Sequence, residues 1–445
     1  MERVSPTLPT HVLVYGPDDR LPLGSALLVA AQQVASMVVG VVTPALILSG
    51  VLNFRPEDTA YLVSMALLSS SVGTFIQTTG FGLVGSRLLS VTGTSFAFLQ
   101  PLILAGQLGG LPLMFGMSLA TSPVQILLAP FMVRLRRIFP PLISGIVVLL
   151  IGLSIIPEAM RGIAAPAAPG APVWTGAAVA ATVIGGVLIA QAVGIVWARL
   201  AGILFGVAAG YIVCAVCGWL QPPPAASHWL AIPRLFPHGL AFRWDLAAPF
   251  AFIYLVSLLE SLGDMTATAQ LSGLETQGPR HATRLRGGLL ADGITSMFSA
   301  MIGSFPSTTY AQNNGVIQIT GVASRHIGKW MALMLALLGL LPVVSRWVTA
   351  MPPPVLGGMA LLLFGLVSVA GIRLIVRRTL NHRDGLIVAI ALGVGLGAPS
   401  QTQWLGHLPA VLRGLLESSV SAGGITALVL NALLPGALSQ ESDSP

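Results

Sequence analysis

Apolar residues dominate this chain in runs of about twenty, the length a helix needs to cross a bilayer core. Short polar or Pro-rich breaks separate the runs. Read as helices, they predict fourteen spans, near 25–49, 59–79, 91–107, 111–133, 139–157, 175–195, 199–219, 247–270, 285–303, 307–320, 327–348, 352–372, 383–398 and 421–437. The third and tenth are short and polar at their starts. Thr94-Ser95-Phe96 opens one and Thr308-Thr309-Tyr310 the other, and each is followed by a short apolar run. That pattern predicts a strand leading into a half-helix. The linkers near 163–174 and 220–246 are rich in Ala and Pro and read as exterior loops. The fold class expected is an all-α polytopic membrane protein with two short strands.

A repeat runs through the pattern. Residues 140–153 read PPLISGIVVLLIGL and residues 353–366 read PPVLGGMALLLFGL. Pro140, Pro141, Gly145, Leu149, Leu150, Gly152 and Leu153 recur as Pro353, Pro354, Gly358, Leu362, Leu363, Gly365 and Leu366. These are the fifth and twelfth spans. A repeat of seven spans inverts one half relative to the other, so the arrangement expected is a 7+7 inverted repeat, a transporter pattern.

Composition sharpens the class. The chain has 445 residues, 54% hydrophobic and 8% charged, where a soluble chain carries about 25% charge. The net charge of +7 raises the question of nucleic acid. The distribution of basic residues answers it. With a cytoplasmic N-terminus, 16 of the 22 Lys and Arg fall on the cytoplasmic side, Arg134, Arg136 and Arg137 among them. That is the positive-inside bias with both termini inside. Residues 1–20 carry Glu2, Arg3, Asp18, Asp19 and Arg20 and no long apolar core, so no cleavable signal peptide is expected. Cys214 and Cys217 form a C-x-x-C inside an apolar helix with no further ligand nearby. They read as small buried apolar residues, and no metal is expected.

Of fifteen acidic residues, three lie well inside spans: Glu260, Asp264 and Asp292. An ionisable group at membrane depth is functional by default. Removing a carboxyl from water favours its neutral form, which lets it carry a proton. Glu260 and Asp264 are four apart and share a helix face. Gly263, Thr266, Ala267 and Thr268 let another backbone come close. The stretch Gln312-Asn313-Asn314-Gly315 brings amides into a membrane region. Such groups need partners or a cavity there. All seven histidines fall outside the predicted spans, so none is expected to carry the proton.

Gln312 to Gly321 resembles the signature of the nucleobase–ascorbate transporters, also called nucleobase:cation symporter family two. That signature is an amide, acid or Pro, then Asn, any residue, Gly, four free positions, Thr, and Arg, Lys or Gly. Glu260 to Asp264, Ala291-Asp292-Gly293 and Val91 to Phe96 resemble its motifs in spans eight, nine and three. The resemblance implies a core domain of spans 1–4 and 8–11 (20–133 and 247–348). It implies a gate domain of spans 5–7 and 12–14 (134–220 and 349–437) that forms a homodimer. It assigns Glu260 to the ring N–H groups of a base and Gln312 to the other polar edge, with backbone around Phe96 and Ala311 completing the site. The Phe96 ring offers a stacking face. Asp292 is implied in proton coupling, with Asp264, Asn313, Asn314 and Gly315 supporting the site. Gln312 is similar to the xanthine and uric acid branch, where uracil carriers tend to have Glu. Val322-Ala323-Ser324-Arg325 resembles the same branch. Gln33 stands where the family often has His. An amide cannot titrate, so a charged role is excluded there, and Gln33 remains a candidate binding residue. The function implied is import of an oxo-purine with protons by alternating access. The setting implied is a bacterial inner membrane, with no cofactor and no nucleic-acid partner.

The alternative within transport is a symporter of protons with uracil or another nucleobase, and two other classes fit less well. An anion carrier of this architecture would want a cation and helix N-termini, whereas the core offers acids. An intramembrane aspartyl protease would use Asp264 and Asp292 sharing a proton. Its Gly-x-Gly-Asp motif is absent, since the chain reads Ser261-Leu262-Gly263-Asp264. A carrier, not an enzyme, is expected.

Overall fold

The computed structural model describes residues 13–132, 140–220, 223, 230–377 and 379–434. Glu2, Arg3, Arg134, Arg136 and Arg137, named above, lie outside the described residues, as does the end of the last predicted span. The elements in order are α1 (Leu23–Leu52), α2 (Pro56–Thr79), β1 (Thr92–Thr94), α3 (Leu99–Thr121), α4 (Pro123–Leu128), α5 (Pro141–Ala164), α6 (Trp174–Ala192), α7 (Val196–Leu200) and α8 (Gly202–Val216). Then come α9 (Trp244–Leu271), α10 (Gly278–Met301), β2 (Ser307–Thr309), α11 (Gln312–Thr320), α12 (Ile327–Leu340), α13 (Pro342–Thr349), α14 (Pro353–Ile375), α15 (His382–Gly397), α16 (Thr402–Leu405), α17 (Ala410–Glu417) and α18 (Ser419–Leu433).

Proline and glycine punctuate these helices as their backbone chemistry requires. Pro56, Pro123, Pro141, Pro342 and Pro353 occupy first helical positions, where a missing N–H costs nothing. The expected break between the third and fourth spans falls at Gly110, whose φ of 64° no helix accommodates. Among the described residues, eight helices are long and apolar enough to cross a membrane. Two bent pairs, α12 with α13 at 71° and α17 with α18 at 102°, bring the number to ten. The fourteen expected spans are therefore not all long helices. Phe96–Phe131 runs as one stretch over two of them, and α8 has 15 residues. α11 has nine residues. α10 is long but carries Arg280, Arg284, Arg286 and Asp292, which lower its hydropathy.

Both short strands form, but earlier than expected: by two residues at β1 and by one at β2, so that Ser95, Phe96 and Tyr310 lie beyond them. β1 and β2 pair antiparallel, with Thr92 opposite Thr309, Gly93 opposite Thr308 and Thr94 opposite Ser307. All six residues are buried. The Tyr310 hydroxyl donates toward the Thr94 and Gly40 carbonyls at 2.8 and 3.1 Å, fastening α1 to the strands. The helices that share the sequence repeat lie against each other. A Cβ on Gly152 of α5 would meet Phe364 O of α14 at 2.7 Å, and one on Gly371 of α14 would meet Gly145 O of α5 at 2.8 Å. Early residues of one helix thus meet late residues of the other, so the pair runs antiparallel at backbone contact. At the N-terminal side, a strap of residues crosses the end of α11. Val14 N–H donates to Gly321 O at 2.8 Å, Ala323 N–H to Tyr15 O at 3.0 Å, and Arg325 pairs with Asp18 at 2.7 Å.

Candidate functional site

The strands end where two helices begin, at Phe96–Phe98 (a single 3₁₀ turn leading into α3) and at α11. α9 and α10 pass beside them. Glu260 and Asp264 sit one turn apart on α9, both half-buried. Glu260 Oε2 is buried with no hydrogen-bond partner among the described residues. Leaving a buried polar atom unpaired costs about 1–3 kcal/mol, so this oxygen is suited to N–H donors from a bound molecule.

Gln312 is the first residue of α11 and half-buried. Among the described residues no group hydrogen-bonds its amide, which keeps both a donor and an acceptor available. Ala311 is exposed, and its carbonyl accepts the Asn314 N–H at 3.0 Å. The backbone at this end therefore offers N–H groups rather than that carbonyl. The amides that follow serve the helix itself. Asn313 is fully buried, and its Nδ2 donates to the Leu89 carbonyl. Asn314 Oδ1 accepts from Thr268 Oγ1 at 2.7 Å, tying α11 to α9. A Cβ on Gly315 would meet nothing within 4 Å, so packing inside the chain does not account for that glycine.

Phe96 is buried between two rings. Tyr310 stacks on it with centroids 6.0 Å apart and a 12° angle, and Phe364 of α14 meets it edge-on at 5.3 Å. Gln33 is fully buried on α1, and neither of its amide atoms has a hydrogen-bond partner among the described residues. It lies two turns before Gly40, on the same helix face, and Gly40 is the residue Tyr310 holds.

Asp292 is fully buried on α10 and fully engaged. Gln77 Nε2 of α2 donates to its Oδ1 at 2.8 Å, and Ser261 Oγ lies 2.5 Å from its Oδ2. Ser261 in turn lies 2.9 Å from Thr308 Oγ1 of β2. Glu260, Asp264 and Asp292 interact electrostatically. No ion pair among the described residues neutralises any of them.

The structure thus gathers Glu260, Asp264, Asp292, Phe96 and the start of α11 around the paired strands. It adds Gln77, Ser261, Thr308 and Tyr310. Ser261 and Thr308 stand inside stretches that the sequence marks out, but Gln77 is a single amide in a Ser/Thr-rich helix and carries no such mark. His281 lies inside α10 and is buried, its Nε2 3.4 Å from Thr266 Oγ1. The apolar pattern places the start of this span at 285, seven residues late, because the helix begins in charged sequence behind Gln277. Cys214 is buried and Cys217 exposed, both free. Among the described residues no cluster of His, Cys, Asp or Glu is arranged to hold a metal.

Known proteins resemble this chain over nearly its whole length. The xanthine permease XanP of Escherichia coli K12 is 39% identical over 438 residues, covering 95% of each chain. Xanthine permease XanQ of the same organism is 38% identical over 447 residues, covering 97% of this chain and 96% of its own. The transmembrane domain of the cyanobacterial bicarbonate transporter BicA shares the fold, with a TM-score of 0.60 at 13% identity over 93% of this chain and 99% of that one. The model of the Permease family named Xan_ur_permease matches residues 24–403. The chain belongs to this permease family, within the nucleobase–ascorbate transporters, and is a membrane transporter rather than an enzyme.

Proposed function

We propose that this protein imports an oxo-purine, xanthine or uric acid, together with protons, by alternating access. The observation that carries the reading is the Glu260 Oε2 atom, buried and without a partner, on the helix that holds the start of α11 through Thr268 and Asn314. A carboxylate can accept two N–H bonds from one edge of a planar base, and the Gln312 amide can both donate and accept along another. The names of the E. coli relatives support xanthine as the first base to test. Asp292, which accepts from the neutral Gln77 and Ser261 and meets no cation among the described residues, is the candidate for proton coupling.

The reading includes fourteen spans in two inverted halves. Support comes from the antiparallel β1–β2 pair and the antiparallel α5–α14 contact, both formed by segments roughly half the chain apart. A core domain (20–133 and 247–348) carries the site. A gate domain (134–220 and 349–437) faces it through Phe364 and mediates a homodimer in an inner membrane, with both termini cytoplasmic. The test is uptake of labelled xanthine and urate by cells expressing the protein, each with competing bases and with and without a protonophore. Competition by xanthine or urate and collapse of uptake with the protonophore are expected. Preference for uracil, or strict sodium dependence with indifference to the protonophore, would reject the reading.

A further inference from the structure

The hydrogen bonds around Asp292 decide which of its oxygens is better placed to hold a proton. The Gln77 amide cannot turn over. Its Nε2 faces the Gly288 carbonyl at 2.8 Å, an acceptor, and its Oε1 faces the Ser86 N–H at 3.0 Å, a donor. Both amide hydrogens are therefore directed at Gly288 O and Asp292 Oδ1. Oδ1 already accepts the Gln77 hydrogen and faces no acceptor among the described residues, so a proton there would go unpaired. The Asp292 proton is better placed on Oδ2, which faces Ser261 Oγ at 2.5 Å.

Ser261 has two neighbours on this line, Asp292 Oδ2 and Thr308 Oγ1. A hydroxyl has one hydrogen to give. When Asp292 is ionised, Ser261 gives its hydrogen to Oδ2 and accepts one from Thr308. When Asp292 is protonated, Oδ2–H gives to Ser261, and Ser261 must turn and give to Thr308. No bond to hydrogen is made or broken within the hydroxyl pair. The two hydroxyls rotate and their polarity reverses. Thr308 is on β2, paired to Gly93 and two residues before Tyr310. The titratable groups facing Asp292 are Glu260 and Asp264 of α9. α2 presents the neutral Gln77, β2 presents Thr308, and α3 and α4 contain no titratable side chain.

We propose that Ser261 and Thr308 form a polarity relay that reports the protonation state of Asp292 to the strand leading into the substrate half-helix, with Gln77 as the residue that selects the oxygen to be protonated. The proposal deepens the proton-coupled reading above and rests on it. The variants are Ser261→Ala, Thr308→Val (which keeps shape), their combination, the rescue Ser261→Thr, and Gln77→Leu. Each is purified, checked for a single symmetric elution peak, and titrated with labelled xanthine across acid to alkaline pH without any gradient.

The parent should change its affinity by roughly tenfold across that range, the scale of one charge-assisted hydrogen bond. Ser261→Ala and Thr308→Val should each narrow the change to within about threefold, and the double variant should be no flatter than either. Ser261→Thr should restore the parental profile. Gln77→Leu should move the profile along the pH axis without flattening it, because Oδ1 becomes available to the proton. A parental profile in Ser261→Ala would overturn the relay. So would flattening in Ser261→Ala but not in Thr308→Val, which would place the effect at Asp292 alone, and so would parental binding that ignores pH. The proton-coupled reading fails separately, when parental uptake is indifferent to a protonophore.

Discussion

Replacing Glu260 by Gln changes one oxygen to an amide nitrogen and leaves the shape of the side chain intact. The consequence follows from the surroundings of Oε2, buried and unmatched by any described group. In the function proposed above, the carboxylate accepts ring N–H groups of the bound base. The Gln variant retains one acceptor and turns an N–H of its own toward a donor. Losing a hydrogen bond to a charged group costs roughly 1.5–3 kcal/mol, about ten- to a hundredfold or slightly more in affinity. The opposed donors add to that figure, so the lower bound is the firmer one. Insertion and folding should be unaffected, since no group among the described residues hydrogen-bonds that oxygen. The assay is initial uptake of labelled xanthine and urate in cells whose membrane content of the variant is quantified by blot. Binding to the purified protein provides the affinity. Xanthine and urate affinities within about threefold of the parent, a loss far below the cost of one charged hydrogen bond, would show that Glu260 does not contact the base.

Three further outcomes are expected. Gln312→Glu should weaken xanthine and urate more than Gln312→Asn, because a carboxylate lacks the donor. Competition uptake at two pH values measures this, with improvement of the Glu variant at low pH as the second sign. Burial holds the His238 imidazole, on the segment between α8 and α9, below its ordinary value. Its neutral form therefore supports the fold above about pH 6.5, and that support is lost as pH falls below it, since the unfolded chain takes up the proton first. Protease cleavage within 230–243 should rise on acidification and stop doing so in His238→Phe, whose ring keeps the contact with Phe115 at 5.9 Å. Gly152→Val should separate α5 from α14, because a Cβ there already meets Ser368 N and Phe364 O at 2.7 Å. Overpacking of this kind costs about 1–3 kcal/mol, read as a lower unfolding midpoint in detergent and reduced uptake.

The parts legible from sequence were those where chemistry contradicts the membrane. Glu260, Asp264 and Asp292 stand out because acids are rare at that depth. The polar openings before Phe96 and Gln312 stand out because no spanning helix would begin with them. The two short strands were readable, to within two residues, as β-prone triplets at one offset, but their antiparallel pairing was not. Gln77 and His281 were not legible. An amide among Ser and Thr has the same local pattern whether it serves a site or fills a core. The role of Gln77 arises from contacts with residues far away in sequence, such as Gly288. His281 was hidden by charged neighbours that made the start of α10 look like loop.

The pairing of β1 with β2 also has a consequence for biosynthesis. Thr92–Thr94 emerges from the ribosome long before Ser307–Thr309, with more than two hundred residues of chain made in between. At about 5–20 residues per second, the wait is roughly ten seconds or more. Through that interval the β1 segment sits in or near the bilayer with backbone groups that no partner has yet satisfied, as do the Gly40 and Thr94 carbonyls that await the Tyr310 hydroxyl. Unpaired backbone in hydrocarbon is costly. The nascent first half must therefore remain near the insertion machinery or in contact with water until its counterpart arrives. The fold is completed from its centre, and late.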